Sequence, residues 1–172
     1  MQQNNLFGER NTTPHWYALH TMSRHEKRVE TRLQEKGVTS YLPLNTLYRQ
    51  WSDRTKAVAE PLFSCYVFVH IALRDRLPVL QTAGAVNLVS FNGVPAWIPE
   101  SQIAAIRQIL EAKPTVSPAE YFVPGKKVKI ARGPLQGLEG TVTICKNNHR
   151  LIIAIDAIRQ SLAVEIDPQD LE

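Results

Sequence analysis

A short proline-containing segment, residues 113–121, divides the sequence into two parts with different patterns. It is KPTVSPAEY and has no apolar periodicity, which is typical of a linker. Strands and helices are predicted to alternate before it, whereas short β-type runs follow it. We therefore predict two small domains, residues 15–112 and residues 122–172, joined by this linker and preceded by a disordered polar leader over residues 1–14.

The first domain has the pattern of an α+β sandwich, in which helices cover a largely antiparallel sheet. Apolar and aromatic runs predict strands at residues 15–21, 41–48, 56–60, 63–71 and 86–91. Helices are predicted to begin at Ser23, near residue 77 and at residue 101. In the first helix, Ser23 and Glu26 have capping-box spacing, Met22, Val29 and Leu33 share an apolar edge, and Gly37 is expected at the C-terminal end.

The second domain is predicted to be a small SH3-like β-barrel. Short β-type runs recur at residues 127–132, 138–145, 150–155 and 161–166, a spacing that is typical of such barrels. Glycine and proline separate the runs, and the candidate turn residues are Gly125, Gly133, Pro134, Gly137 and Gly140. Because interior glycine and proline disfavour helices, we expect residues 127–145 to form β-structure rather than a helical hairpin.

The charge is distributed unevenly between the two parts. Residues 1–113 carry 13 basic and 9 acidic side chains, while residues 114–172 carry 7 of each. A basic surface suits contact with a polyanion, although the same charges are also typical of a solvated face. Cys65 and Cys145 fit no metal-binding spacing, and the sequence has no recognisable signal peptide or transmembrane span. Reduced thiols, a cytoplasmic location and no membrane partner are therefore expected.

The sequence contains none of the common catalytic motifs. Its five histidines form no H-x-x-x-H pair, and no G-x-S-x-G, P-loop or G-x-G-x-x-G sequence occurs. Cys65 lies in an apolar run, where a buried structural cysteine is expected rather than a nucleophile. We therefore expect a protein that is not an enzyme and that has no metal or cofactor.

Two groups of motifs resemble those of a known family. Residues 123–130, VPGKKVKI, followed by residues 133–142, GPLQGLEGTV, resemble a KOW domain. Residues 16–19, WYAL, and residues 60–69, EPLFSCYVFV, resemble the N-terminal domain of NusG transcription factors. In this order the two domains resemble the NusG family. Residues 60–63, EPLF, and residues 51–54, WSDR, are more similar to its specialised RfaH and UpxY paralogues. The sequence departs from the family at Ser64-Cys65, where Pro-Gly or Pro-Asn is usual.

The resemblance implies a factor that binds the β′ clamp helices of the transcribing RNA polymerase through an apolar patch. By position the patch comprises Trp16, Leu62, Phe63 and Tyr66, although such residues also occur in an ordinary core. Contact with upstream or non-template DNA is implied for the region of His20, Arg24, His25, Lys27 and Arg28. For the KOW domain, the implied partner is a small-subunit ribosomal protein or Rho.

Three functions stay open at this point. The first is a specialised antitermination factor that suppresses pausing or termination. The second is a housekeeping NusG-type factor, and the third is a KOW protein that binds the ribosome or RNA without contacting the polymerase. The near-neutral second domain argues against the third function, because RNA-binding domains are usually basic.

Overall fold

The aromatic run His15–Thr21 forms strand β1 at the centre of a five-stranded antiparallel sheet. Strand β1 pairs with β5 (Tyr66–Ile71), with β6 (Ala85–Leu88) and with β9 (Trp97–Ile98), and β2 (Ser40–Tyr41) pairs with β5. Because side chains alternate along a strand, one face of β1 presents Tyr17 and Leu19 to the core. There they join Val67 and Val69 of β5 in one buried cluster.

The structure is a computed structural model that describes residues 11–50, 55–112, 116–119, 126–145 and 148–166. The chain divides into two compact units, one made of residues up to 44 with residues 61–100, and one made of residues 45–60 with those from 101 onward. Most of the predicted leader and the turn residue Gly125 lie outside the described residues. Among the residues that the structure describes, no helix has the length and apolar character needed to cross a membrane.

Helix α1 (Glu26–Glu35) covers the core face of the sheet with Val29 and Leu33, both fully buried. It begins three residues later than the predicted cap at Ser23, and Met22 is 54% exposed rather than part of the apolar edge. A turn precedes the helix, in which the N–H of His25 donates to the carbonyl of Met22 at 3.1 Å, while Met22 donates its own N–H to the carbonyl of Gly84.

The end of α1 follows the sequence prediction. Gly37 has a φ of 73°, and the N–H groups of Gly37 and Val38 donate to the carbonyls of Gln34 and Leu33, each at 2.9 Å. These two bonds are those of a Schellman motif, which satisfies carbonyls at a helix end.

Two hairpins lie between the longer elements. Strands β3 (Leu44–Gln50) and β4 (Thr55–Pro61) pair with each other, and the connecting residues 51–54 lie outside the described residues. Helix α2 (Arg76–Leu80) precedes β6, and the hairpin of β7 (Ser90–Phe91) and β8 (Val94–Pro95) follows it. Asn92 and Gly93 have φ values of 51° and 76°, and two left-handed residues in succession are what a type I′ turn requires.

The second unit contains a five-stranded antiparallel sheet and helix α3 (Glu100–Ala112), of which the first residue, Glu100, belongs to the first unit. The sheet order is β10 (Val116–Ala119), β14 (Gln160–Ile166), β13 (Asn148–Ile155), β12 (Glu139–Cys145) and β11 (Lys126–Lys129). Gln108 of α3 donates through Nε2 to the carbonyls of Pro134 and Gln136, each at 3.1 Å. The predicted class, an α+β domain followed by a small β-rich domain, is confirmed.

Strand β10 occupies part of the segment that the sequence predicts to be a linker. Its four residues pair with β14 in the register Val116 to Val164 through Ala119 to Ser161. These residues therefore belong to a sheet edge, because β14 offers them a row of backbone partners that local composition does not reveal. The remaining linker residues, 113–115 and 120–121, lie outside the described residues.

Candidate functional site

The face of the first sheet that points away from the α1 core is rich in aromatic and histidine side chains. We call it the aromatic face, and its members on β1 and β5 are Trp16, His20, Tyr66, Phe68 and His70. The strand register places Trp16 opposite His70 and His20 opposite Tyr66. The corresponding ring centroids are 5.0 and 5.5 Å apart, and Phe63 meets Phe68 edge-on at 5.8 Å. Such ring pairs stabilise the fold beyond the contribution of the apolar area that they bury.

Burial differs strongly along the aromatic face. Of the four residues predicted to bind polymerase, three are buried, with Trp16 at 4% exposure, Leu62 at 7% and Phe63 at 1%. Tyr66 is half-buried, as is its neighbour His20. The four side chains therefore do not form an open patch in this structure, because three of them are buried. Tyr66 is the accessible one of the four, and it lies beside the half-buried His20.

Residues 62–65 form a tight turn between β4 and β5, which we call the β4–β5 turn. The sequence predicts a strand from Phe63, but β5 begins at Tyr66 because Cys65 has a left-handed φ of 66°. The N–H of Cys65 donates to Oε1 of Glu26 at 2.7 Å, and its carbonyl accepts from the N–H of Thr21 at 2.8 Å. The turn is thus fixed to α1 and to the end of β1.

Three of the predicted DNA-contacting residues, Arg24, Lys27 and Arg28, are exposed at the start of α1. Arg24 precedes the helix in a left-handed conformation with a φ of 60°. His25 is half-buried, and its Nδ1 lies 2.9 Å from the carbonyl oxygen of Ser23. Between residues 15 and 29 the one acidic residue is Glu26, which is 5% exposed and bonded to Cys65. The surface charge of this region is therefore positive.

Two further basic residues of α1 have structural partners. Arg32 donates through Nη1 to the carbonyl of Ala83 at 2.6 Å, and Lys36 donates through Nζ to the carbonyl of Pro78 at 2.9 Å. Lys36 also donates to Oγ1 of Thr82 at 2.8 Å. These contacts hold the end of α2 against α1, although both basic side chains are exposed. The sequence carries no signal for these contacts, because the partners are more than forty positions away.

The predicted turn residues of the second unit occupy two kinds of position. Gly133 and Gly137 have φ values of 82° and 86°, in the left-handed region that favours glycine. At Gly140 a Cβ atom would lie 2.6 Å from the carbonyl oxygen of Ile152, so the close approach of β13 requires glycine there. The carbonyl of Pro134 accepts from Gln108, as described above.

The described residues give no support for metal chemistry. Within them, no group of three or more His, Cys, Asp or Glu side chains is placed to hold a metal ion. Cys65 is a half-buried free thiol whose backbone, rather than its sulfur, makes the contacts of the β4–β5 turn.

The sequence of this chain is similar to those of known proteins. Residues 14–107 match the family model described as Transcription termination factor nusG. The chain is 23% identical over 177 residues to the transcription termination/antitermination protein NusG of Rickettsia typhi, covering 95% of this chain and 92% of that protein. The NusG of Lactococcus lactis is 25% identical, covering 91% of each chain, and that of Staphylococcus aureus is 26% identical, covering 91% of this chain and 94% of its own.

A solved structure shares the fold. The structure titled "Domain interaction in Thermotoga maritima NusG" matches 93% of this chain and 97% of its own, with a TM-score of 0.56 and 23% sequence identity. At this level of identity the likeness concerns the fold alone.

Proposed function

Because the chain belongs to the NusG family, we propose that it is a specialised transcription elongation factor that suppresses pausing or termination by binding the β′ clamp helices of RNA polymerase. The family consists of transcription factors without enzymatic activity, so the prediction that this chain is not an enzyme is confirmed. The observation that carries the proposed binding mode is the half-buried Tyr66–His20 pair, which lies inside the part that matches the family.

Binding a helical hairpin favours aromatic side chains that lose water in a groove, and tyrosine is a frequent anchor of this kind. Tyr66 has the exposure that such contact needs, and its ring lies beside that of His20. The buried part of the sheet is held by the edge-on pair of Phe63 and Phe68 and by Trp16, whose Nε1 donates to Oε2 of Glu100 at 2.5 Å. Within the proposed patch, Tyr66 is the contacting residue, whereas Trp16, Leu62 and Phe63 are buried.

The exposed basic residues extend the proposal to DNA. Arg24, Lys27 and Arg28 lie at the start of α1, close in sequence to His20 and His25 and next to the β4–β5 turn through Glu26. Arginine and lysine bind phosphate groups, and exposed bases of single-stranded DNA stack on aromatic and imidazole rings. Upstream or non-template DNA near the bound polymerase is the DNA that this surface would meet.

The proposed mechanism involves binding rather than chemistry. A factor that binds the closed clamp better than the open one shifts the population toward the closed state, which disfavours pausing. The proposed KOW domain, residues 122–172, would recruit a small-subunit ribosomal protein or Rho, and the connection to residues 15–112 would raise the local concentration of that partner near the polymerase.

A pull-down of core RNA polymerase by the full-length protein tests the proposal. Tyr66→Ala should weaken the association about 30-fold, since truncating an aromatic anchor typically costs about 2 kcal/mol. Phe91→Ala is the matched control, because Phe91 is a 45% exposed aromatic side chain outside the proposed patch. Phe63 is a poor test residue, because its truncation would open the packed core.

Equal retention of polymerase by Tyr66→Ala and Phe91→Ala would exclude the proposed contact. Genome-wide occupancy then separates the specialised factor from the housekeeping one. A specialised factor occupies a few operons, whereas a general factor follows the polymerase over nearly all transcribed genes. Binding to ribosomes or RNA without any polymerase association would instead support the third function.

A further inference from the structure

Glu26 is an acidic residue in the interior of the first unit. Its side chain is 5% exposed, although it belongs to the first turn of α1, where acidic residues usually face water. Burying a carboxylate is unfavourable unless hydrogen bonds compensate for the lost water. Here Oε1 accepts the N–H of Cys65 at 2.7 Å, a contact between residues 39 positions apart. The helix N-terminus adds favourable electrostatics for the same negative charge.

Cys65 has the backbone conformation that most needs such a contact. Its φ of 66° lies in the left-handed region, which is unfavourable for an ordinary L-residue because Cβ crowds the backbone. Glycine and asparagine enter this region more readily than cysteine does. The hydrogen bonds of Cys65 to Glu26 and Thr21 restrain both ends of the residue and hold it there.

Tyr66 is the residue whose placement depends most on this turn. It is the first residue of β5, and its N–H lies 3.4 Å from the carbonyl oxygen of Phe63 within the β4–β5 turn. Pairing with β1 fixes which residue Tyr66 faces, namely His20. The direction in which the chain enters the strand is set one residue earlier, by the left-handed Cys65.

We propose that Glu26 is a positioning residue for the polymerase-binding surface. Its carboxylate holds Cys65 in the left-handed conformation, and the β4–β5 turn then delivers the Tyr66 ring beside His20. This inference rests on the proposed function, in which Tyr66 contacts the polymerase. It also explains how a cysteine can occupy a turn position where glycine would adopt the left-handed conformation without strain. The hydrogen bond to the buried carboxylate keeps Cys65 in that conformation.

Three substitutions separate this role from general support of the fold. Glu26→Ala removes the acceptor for the Cys65 N–H, whereas Glu26→Gln keeps an amide oxygen in its place. Adding Cys65→Gly to Glu26→Ala removes the need for the restraint, because glycine adopts a positive φ without steric cost. Glu35→Ala is the control, since Glu35 is an exposed glutamate on the same helix.

The full-length protein and core RNA polymerase give the binding readout. Glu26→Ala should weaken binding about tenfold, which corresponds to the loss of one hydrogen bond to a charged group. Glu26→Gln should stay within about threefold of the parent, because the amide oxygen still accepts the hydrogen bond. Glu26→Ala combined with Cys65→Gly should recover most of the loss, while Glu35→Ala should bind like the parent. Where Tyr66→Ala weakens binding, parental binding by folded Glu26→Ala, or no recovery in the double variant, would overturn the inference.

A second readout does not involve polymerase. In the parent, the rings of His20 and Tyr66 are close enough for nuclear Overhauser effects, with centroids 5.5 Å apart. These signals should weaken in Glu26→Ala and return in the double variant, and their persistence in Glu26→Ala would also overturn the inference. If Tyr66→Ala binds polymerase normally while the ring signals behave as expected, the proposed function fails and the positioning role stands.

A final pair of variants covers the case in which Glu26→Ala does not fold. Cys65→Val places a β-branched side chain at the left-handed position, which resists it, whereas Cys65→Gly fits it. With Glu26 intact, Cys65→Val should weaken both binding and the ring signals, and Cys65→Gly should preserve both. Equal behaviour of the two variants would contradict the inference.

Discussion

The carboxylate of Glu30 accepts a hydrogen bond from the backbone N–H of Leu42 at 3.0 Å. Glu30 lies one helical turn after Glu26, so two successive carboxylates of α1 bind backbone N–H groups, one just after β2 and one just before β5. Burial raises the pKa of Glu30 above its ordinary value, and the hydrogen bond from Leu42 opposes this change. The contact between α1 and the sheet is therefore sensitive to pH.

The free energy of unfolding should carry a measurable contribution from Glu30. The folded carboxyl group keeps its proton to a higher pH than the unfolded one. At pH values between the two pKa values, folding is therefore accompanied by the uptake of a proton. This contribution is therefore full below the ordinary glutamate pKa and is lost as the pH rises through the raised one. In Glu30→Gln the free energy of unfolding should change less with pH over this interval. The variant should be at least as stable as the parent at neutral pH, because the amide oxygen still accepts the Leu42 N–H.

Chemical denaturation at several pH values from about 4 to 7 measures this effect as the difference between parent and variant. Glu30→Ala is the companion variant. It should be about 1 kcal/mol less stable than Glu30→Gln at every pH, because neither variant titrates at this position and the Leu42 N–H has no acceptor in Glu30→Ala. A difference between parent and Glu30→Gln that does not change with pH would contradict the assignment.

Two glycines of the second unit should respond differently to alanine. Gly137 has open space around its Cβ position but a φ of 86°, so Gly137→Ala should cost about 1 kcal/mol. At Gly140 the new Cβ would lie 2.6 Å from the carbonyl oxygen of Ile152, and β12 and β13 would have to separate. Gly140→Ala should therefore cost about 2 kcal/mol or more. Amide hydrogen exchange in β12 and β13 measures both, and equal protection in the two variants would argue against the close approach.

The sequence predicts the elements of this fold where local pattern decides them. Strand β1 has the predicted bounds, because its aromatic and apolar run matches a buried strand. The isoleucines of α3, Ile103, Ile106 and Ile109, follow helical spacing and are fully buried. Gly37 ends α1 through bonds made within a few residues of it.

The predictions fail where a distant partner decides the outcome. Met22, in the turn before α1, is bonded to the distant Gly84, and Cys65, just before β5, is bonded to the distant Glu26. Strand β10 forms because β14, over forty positions later, offers it an edge. The candidate site is also decided in part by distant contacts. Its aromatic residues are evident in the sequence, but which of them stay accessible depends on packing that no local pattern specifies.

The exposed basic residues at the start of α1 should give DNA binding a measurable salt dependence. Each phosphate contact that is lost lowers the slope of log affinity against log salt by about one unit. Arg24→Gln combined with Arg28→Gln should therefore reduce the slope for an elongation complex by up to about two units. Arg74→Gln is the control, because Arg74 is exposed and pairs with Asp75 in another part of the unit. An unchanged slope in the double variant would show that the two arginines are only solvated.

The second unit should keep its strands in the full-length protein in solution, without a helical alternative. Strands β13 and β14 pair over seven residues, from His149 with Ile166 to Ile155 with Gln160. A helix through residues 133–140 would have to accommodate three glycines and Pro134. In a helix interior each glycine costs about 1 kcal/mol and a proline costs about 3 kcal/mol. Backbone chemical shifts of residues 126–129 and 139–145 should therefore be those of strands in a single set of signals. Helical shifts over residues 139–145, or a second set of signals with helical character, would show that this segment changes its fold.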